Sequence, residues 1–249
     1  MINKFYYEGK KLEFNEINVL LGPNSCGKTY LLHRLGDENK LAYYASSNFN
    51  LAAVRKPSNI LITGNYVLGD ASNFVNTVFC NRGYHDLYVR TLKEALPELV
   101  AIELFAREYQ ISVELVFENQ RVPLSELSDG VLRLIIIAWI LITSNKKLIA
   151  IEEPELNLHP AWQKLLGKWI QLFCYQYEQC FITTHSPDLL DVFTDGFKQA
   201  DVGIFVFNSS TGKYTVRKLN YDELASELDE YELGDLYRIN DPCIGGWPW

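Results

Sequence analysis

Short apolar runs alternate with stretches of helical spacing along most of the chain. The runs that predict strands lie at residues 17–21, 41–44, 60–62, 111–117, 148–151, 181–184, 201–207 and 213–219. The stretches that predict helices lie at residues 29–36, 70–109, 129–143 and 160–170. Alternating strands and helices indicate an α/β fold, and the four consecutive apolar residues at 148–151 fit the centre of a parallel sheet.

A glycine-rich segment follows the first buried strand. Its eight residues match the phosphate-binding pattern G-x-x-x-x-G-K-[ST]: Gly22, Pro23, Asn24, Ser25, Cys26, Gly27, Lys28 and Thr29. Its glycines let backbone N–H groups point at phosphate oxygens, and the next helix adds the positive end of its dipole. Lys28 supplies a cation for the β- and γ-phosphates, and the Thr29 hydroxyl is placed to bind Mg²⁺. A strand before the segment and a helix after it favour a nucleotide site over an accidental turn.

Two adjacent acids, Glu152 and Glu153, end the apolar strand at 148–151. A carboxylate at the carboxyl end of a strand lies where ligands bind in open α/β sheets. We expect Glu152 to hold the Mg²⁺ shell and Glu153 to orient and polarise the attacking water. The alternative is a solvated strand end. The phosphate-binding loop upstream favours the catalytic interpretation.

His185 follows another short buried strand. A lone histidine at a strand end is usually structural. This one comes about thirty residues after the paired acids and lies at the same edge of the predicted sheet. It could therefore reach the γ-phosphate, and we expect it to be catalytic.

The most apolar helix begins after Ser128. Ser128 is predicted to be its N-cap, and Asp129 suits its first turn. Taken alone, the segment indicates only a well-capped buried helix.

Taken together and in this order, the segments resemble those of ATP-binding-cassette (ABC) ATPases, in the soluble branch that includes RecF, OLD and SMC proteins. The loop at 22–29 corresponds to Walker A, the segment at 127–134 to the signature motif, and the segment at 148–155 to Walker B with the catalytic glutamate. The segment at 155–160 (Glu-Leu-Asn-Leu-His-Pro) is similar to that of this branch at the D-loop position, and His185 corresponds to the switch histidine. The resemblance covers nearly the whole chain.

The resemblance implies the fold, the ligands and the assembly. The expected fold is a P-loop NTPase of the ABC-head type over residues 1–249, with a mostly parallel central sheet and antiparallel N-terminal strands. A small helical subdomain at about 70–145 carries the signature motif. ATP and Mg²⁺ are the implied ligands, held in a head-to-head homodimer. Ser128, Asp129 and Gly130 are the implied nucleotide contacts of the signature helix, of which Ser128 and Gly130 act on the partner's ATP.

The chain departs from the family pattern at several positions. Glu152 stands where Walker B carries Asp, and Asp129 stands where transporters carry Gly. No glutamine occurs between Thr29 and Tyr109, so Asn48 or Asn50 would have to replace the usual Q-loop ligand. The short spacing between the Walker loop and the signature leaves no room for a coiled-coil arm.

The net charge, the cysteines and the apolar runs limit which partners and which cellular compartment are expected. The net charge of −8 does not indicate nucleic acid as a partner, although a local basic patch could still bind it. The five cysteines are scattered and contain no C-x-x-C pair, which indicates a reducing compartment and no zinc site. The longest apolar run is too short to span a bilayer. We therefore expect a cytoplasmic protein without membrane insertion.

These observations favour an ATP-driven dimeric switch for a separate effector, a nuclease or another protein, in DNA repair or antiphage defence. A TOPRIM nuclease domain is not expected after His185. The alternative is the nucleotide-binding subunit of a membrane transporter, against which Asp129, the missing glutamine and the segment at 155–160 argue. A GTPase is excluded because the chain lacks D-x-x-G and an N-K-x-D. A clamp that binds DNA without turnover stays open.

Overall fold

The structure is a computed structural model that describes residues 2, 4–60, 66–144, 147–210 and 213–244. The strands are β1 (Phe5–Tyr7), β2 (Lys10–Leu12), β3 (Ile17–Leu21), β4 (Ala42–Ala45), β5 (Ser58–Asn59), β6 (Leu99–Arg107), β7 (Gln110–Phe117), β8 (Arg121–Pro123), β9 (Leu148–Glu152), β10 (Gln179–Thr183), β11 (Val202–Ser210) and β12 (Lys213–Lys218). The α-helices are α1 (Lys28–Asn39), α2 (Leu51–Val54), α3 (Phe74–Cys80), α4 (His85–Lys93), α5 (Asp129–Thr143), α6 (Pro160–Cys174), α7 (Pro187–Asp191), α8 (Thr194–Lys198) and α9 (Leu233–Arg238).

The chain forms two compact units. The first comprises Met1–Tyr43, Lys146–Glu155 and Leu166–Trp249, and the second comprises Tyr44–Asn145 and Leu156–Leu165. The organisation of the whole chain as one ATPase domain stays a prediction.

A six-stranded sheet of order β12-β11-β3-β10-β9-β4 runs through the first unit. Its neighbours β11, β3, β10 and β9 pair in parallel, and β12 is antiparallel to β11. Thr183 of β10 pairs with Leu20 of β3 and with Glu152 of β9, so the carboxyl ends of three strands lie at one edge of the sheet. The antiparallel pair β1-β2 precedes it. The mostly parallel sheet and the antiparallel N-terminal strands are thus confirmed.

The core of the first unit lies between this sheet and α1. Leu31, Leu32 and Leu35 form the buried face of α1, as helical spacing predicts. They belong to one apolar cluster with residues from the strands: Phe5, Tyr7, Leu12, Leu20, Ala150, Phe181, Phe205, Phe207 and Val216. Burial of each large apolar side chain stabilises the fold by about 1.5–3 kcal/mol. This packing fixes the start of α1 against the end of β3.

The second unit is built around α5, whose residues from Leu132 to Thr143 are all buried. The Ser128 side chain accepts a hydrogen bond from the backbone N–H of Val131 at 3.3 Å, so the predicted N-cap is confirmed. The Trp139 indole donates to the Thr77 hydroxyl of α3 at 2.9 Å. Because both groups are buried, this bond satisfies polar atoms that water does not reach.

The prediction of helix across residues 97–109 is wrong, because β6 occupies Leu99–Arg107. The apolar spacing that suggested a helix also contains the alternation Ile102, Leu104, Ala106. In the strand these residues pair with Leu115, Val113 and Ile111 of β7. Pairing with β7 outweighs the local helical pattern. The stretch at 70–145 therefore contains the three antiparallel strands β6, β7 and β8 as well as the helices α3, α4 and α5.

The remaining predicted elements differ from the structure mainly at their ends. Of the strand predicted at 60–62, residues 61 and 62 lie outside the described residues, and β5 lies just before them. Pro160 begins α6 as predicted. Within the described ranges, no helix is both long enough and apolar enough to cross a membrane.

We expect Trp139→Phe to lower the free energy of unfolding by about 1–3 kcal/mol, because it removes a buried hydrogen bond and leaves a small cavity. Trp162→Phe on the partly exposed face of α6 is the matched control and should cost less than about 1 kcal/mol. Urea unfolding followed by circular dichroism measures both. Equal losses in the two variants would contradict the role of the Trp139–Thr77 bond.

Candidate nucleotide-binding site

The glycine-rich loop joins β3 to α1 in a conformation that requires its glycines. Gly22 has φ of 136°, and a Cβ there would come within 2.3 Å of the carbonyl oxygen of Phe207. Gly27 has φ of 100°, and its Cβ would come within 2.5 Å of the Tyr7 hydroxyl oxygen. Both positions combine a left-handed backbone with a close neighbour. The loop leads into α1 through Gly27, whose position as N-cap leaves the start of the helix without a side-chain cap, as an anion site at a helix N-terminus requires.

Lys28 is buried inside the loop. Its Nζ donates to the carbonyl oxygens of Gly22 at 2.6 Å and Pro23 at 2.9 Å. Burial lowers the pKa of Lys28, while the Cys26 thiol and the carboxylates of Glu153 and Glu152 oppose the shift. The loop backbone thus holds the ammonium group in the position from which it would also bind a phosphate.

Glu152 and Thr29 form the pair predicted to bind Mg²⁺. Glu152 is the last residue of β9, and Thr29 lies in the first turn of α1. The Thr29 hydroxyl donates to one oxygen of Glu152, and the Tyr43 hydroxyl donates to the other. A hydroxyl and a carboxylate are the hard oxygen ligands that Mg²⁺ takes, together with phosphate oxygens and water. The donor set therefore fits a magnesium ion that accompanies a nucleotide.

Glu153 lies one residue beyond β9, with φ of 48°. Its backbone N–H donates to the carbonyl oxygen of Thr183 at 3.0 Å and to the Thr183 hydroxyl at 3.2 Å. These bonds hold a backbone conformation that is uncommon for a non-glycine residue. The side chain is one-third exposed, so its carboxylate is accessible to water.

His185 lies between the lysine and the second acid. Its Nε2 is 3.4 Å from Lys28 Nζ and 3.8 Å from Glu153 Oε1. Burial, followed by the positive charge of Lys28, lowers the pKa of His185 to about 4. The imidazole is therefore neutral at pH 7 and has one donor and one acceptor nitrogen.

Glu155 holds the backbone at His185. Its Oε1 accepts hydrogen bonds from the Thr184 hydroxyl at 2.6 Å and from the backbone N–H of His185 at 2.8 Å. The side chain is buried, and burial raises the pKa of its carboxyl group. The sequence marked Glu155 only as part of a motif, and the structure shows the contact through which it fixes the histidine.

A cavity of about 350 Å³ opens on the loop. It is lined by residues 24–30, the two acids Glu152 and Glu153, and Tyr214 of β12. The rings of Tyr30 and Tyr214 are partly exposed, with centroids 6.3 Å apart. Sequence reasoning missed Tyr43 and Tyr214 because β4 and β12 carry no motif; their only signal is strand placement beside β9 and β11.

The signature segment belongs to the second unit. Asp129 pairs with Arg55, whose guanidinium also donates to the carbonyl oxygen of Leu127 at 3.0 Å. The hydrogen bond from Arg55 lowers the pKa of Asp129. Gly130 is required by a close approach, because a Cβ there would come within 2.4 Å of the carbonyl oxygen of Asn157.

Two asparagines were predicted as replacements for the Q-loop ligand. Asn50 is the N-cap of α2, and its side chain accepts from the backbone N–H of Ala53 at 3.0 Å. Asn48 is exposed in a single turn of 3-10 helix at Ser46–Asn48. A replacement role for either residue stays a prediction.

Comparison with known proteins agrees with this geometry. Residues 83–191, less than half of the chain, match the family described as AAA domain, putative AbiEii toxin, Type IV TA system. None of the curated protein sequences compared with the chain matches it.

The fold is similar to several solved structures. The SMC head domain from Thermotoga maritima matches with a TM-score of 0.50 and 12% identity over 84% of this chain and 93% of that one. An SmcHead bound to the C-winged helix domain of ScpA matches with a TM-score of 0.52 and 12% identity over 73% of this chain and 56% of that one. A structure named RNase-L Inhibitor matches with a TM-score of 0.52 and 10% identity over 95% of this chain and 44% of that one.

The chain spans only 30%, 56% and 39% of the first three solved chains that it matches, and at these identities the likeness concerns the fold alone. The longest helices among the described residues have 15 residues, so this part of the chain holds no coiled-coil arm. With the family match and the loop geometry, the resemblance is confirmed: the chain has the fold of a P-loop ATPase head of the ABC type.

Proposed function

We propose that the chain binds and hydrolyses ATP as a cytoplasmic head-to-head dimer and acts as a switch for a separate effector protein. The observation that carries the proposal is the convergence of Lys28, Thr29, Glu152, Glu153 and His185 at one sheet edge. These residues come from three separate parts of the sequence, and the parallel register of β3, β10 and β9 brings them together. A solvated strand end would not bring a buried lysine within 3.4 Å of a neutral histidine.

Each residue has a distinct role in this proposal. The loop amides and Lys28 bind the phosphates, and Thr29 and Glu152 hold Mg²⁺, which would neutralise the charge that develops on the phosphate oxygens. Glu153 orients and polarises the attacking water because its carboxylate is accessible. The neutral His185 offers a hydrogen bond to the γ-phosphate, and Glu155 fixes the backbone that carries it.

The cavity beside the loop supports a nucleoside triphosphate over inorganic triphosphate. Tyr30 and Tyr214 place two partly exposed rings next to the residues that would bind phosphate. A purine base can stack on such rings. We propose that the base of ATP lies on this side of the loop.

The proposal of a dimer rests on the residues at the N-terminus of the signature helix α5. Ser128 and Asp129 are exposed at the N-terminus of the 15-residue helix α5, where the N–H groups favour an anion. Asp129 would repel a triphosphate, but its ion pair with Arg55 offsets that charge. Ser128 and Gly130 of one copy would then complete the phosphate shell of the other.

The proposed biological role is in DNA repair or antiphage defence. The matched family is described as a putative toxin of a Type IV TA system, which supports the defence role more than the transporter alternative. The effector is a separate protein of unassigned chemistry.

Hydrolysis is tested first. We expect Glu153→Gln to bind ATP with wild-type affinity but to release phosphate about 10²–10⁴-fold more slowly, because an amide cannot polarise water as a carboxylate does. Lys28→Ala should weaken ATP binding at least about 100-fold, because charged hydrogen bonds are worth about 1.5–3 kcal/mol each. Calorimetry and a phosphate-release assay measure the two effects. ATP binding without turnover by the wild-type chain would favour the clamp over the ATPase.

The low pKa of His185 predicts a specific dependence of stability on pH. Between about pH 4 and the ordinary value of 6.5, the unfolded chain binds a proton at His185 that the folded chain does not. Stability should therefore fall as the pH drops through this window, and His185→Gln should remove part of that fall. His159→Asn, which keeps a capping side chain at the start of α6, is the control. Parallel melting curves for wild type and His185→Gln from pH 7 to 4 would contradict the assignment.

The dimer is tested by mixing two inactive chains. Lys28→Ala and Ser128→Arg should each be inactive alone, whereas their mixed dimer holds one site with an intact Walker loop and an intact signature. A 1:1 mixture should recover about a quarter of the wild-type rate, since half of the dimers are mixed and each has one good site. Ser125→Arg, at a neighbouring exposed serine, is the matched control and should stay active alone. A monomeric wild-type chain with a concentration-independent rate would remove the dimer model.

A further inference from the structure

The Walker B glutamate is held at both carboxylate oxygens. Oε1 of Glu152 accepts from the Thr29 hydroxyl, and Oε2 accepts from the Tyr43 hydroxyl. The resembled family carries the shorter Asp at this position. Thr29 belongs to the predicted magnesium site, but no motif accounts for Tyr43.

The Tyr43 ring is itself fixed in place. It lies on β4, the neighbour of β9 in the six-stranded sheet, and packs against the apolar cluster of the first unit. The ring also contacts His33 of α1, with ring centroids 4.9 Å apart and planes at 46°. His33 and Thr29 are four residues apart on α1 and so lie on one face of it. One turn of helix therefore contacts both Glu152 and the tyrosine that holds it.

Tyr43 is the donor in this hydrogen bond, and Glu152 Oε2 is the acceptor. An ordinary phenol carries its proton at neutral pH, and an ionised carboxylate can only accept. The bond is charge-assisted, a class that is about twice as strong as a neutral hydrogen bond.

We propose that Tyr43 is a positioning residue that holds the Glu152 carboxylate in the orientation required at the metal, and thereby allows Glu to serve where Asp is usual. The proposal rests on the proposed function, because it concerns the magnesium that accompanies ATP. Glu has one more rotatable bond than Asp, so its carboxylate samples more positions and loses more entropy when it is fixed. The Tyr43 hydroxyl removes that freedom before the metal arrives.

The first test compares the Mg²⁺ dependence of ATP binding in Tyr43→Phe and wild type. We expect the Mg²⁺ concentration that gives half-maximal enhancement of ATP affinity to rise about tenfold, as for other lost contacts to a metal ligand. ATP affinity in EDTA should stay within about twofold, since the phosphate-binding loop is unchanged. Tyr44→Phe, which removes the neighbouring hydroxyl that donates to the carbonyl oxygen of Val67, is the matched control and should leave the Mg²⁺ dependence unchanged.

The second test uses Glu152→Asp. Asp is one methylene shorter than Glu, so we expect its carboxylate to fall short of the Tyr43 hydroxyl, and Tyr43→Phe should change the Mg²⁺ dependence by less than about twofold in this background. A merely structural role for Tyr43 would produce the same loss in both backgrounds. A third readout needs no nucleotide: the unfolding free energies of the four chains should show coupling between Tyr43 and Glu152 in the absence of metal.

The outcomes separate the two proposals. An unchanged Mg²⁺ dependence in Tyr43→Phe, or an equal loss in the Glu152→Asp background, would overturn the role of Tyr43 while ATP binding stands. Failure of the wild-type chain to bind ATP even in EDTA would instead refute the proposed function. In that case the unfolding free energies of the four chains still test whether Tyr43 orients Glu152. Additive changes in stability would overturn the role of Tyr43.

Discussion

The parallel pairing of β3, β10 and β9 is the constraint on which the candidate site depends. Thr183 lies opposite both Leu20 and Glu152, so the loop after β3, the acids after β9 and the histidine after β10 emerge side by side. A shift by one residue would turn every side chain to the other face and separate these groups. The apolar side chains on the strands therefore set the positions of the polar groups at the strand ends.

The buried ammonium of Lys28 shows how the site offsets the cost of burying a charged group. Burial of a cation is costly unless partners offset it. Two loop carbonyls accept its hydrogen bonds, and the charges of Glu152 and Glu153 oppose the effect of burial on its pKa. The same positive charge helps to keep His185 neutral. Burial and the neighbouring charge of Lys28 thus act in the same direction on His185, with burial as the larger cause.

The sequence predicted most of the first unit and the motif residues of the site, because periodic apolar runs and a glycine-rich loop are local signals. It failed at Leu99–Arg107, where pairing with a distant strand decided between two patterns that the same residues satisfy. It also missed Tyr43, which donates to Glu152, and Tyr214, which lines the cavity at the loop; both lie on strands without a motif. The order of strands in the sheet brings such a residue to its partner. Because the partner is far away in the sequence, no local sequence pattern predicts the contact.

At two positions where the chain differs from the pattern of the resembled family, a donor from another element contacts the altered carboxylate. Glu152 is longer than the usual Asp, and Asp129 adds a negative charge where Gly is usual. In each case the altered carboxylate has a partner from another element: the Tyr43 hydroxyl for Glu152 and the Arg55 guanidinium for Asp129. Tyr43 restricts the freedom that a longer side chain adds, and Arg55 offsets the charge that an acid adds. Each altered carboxylate thus has a neighbouring donor that offsets the property in which it differs from the residue of the resembled family.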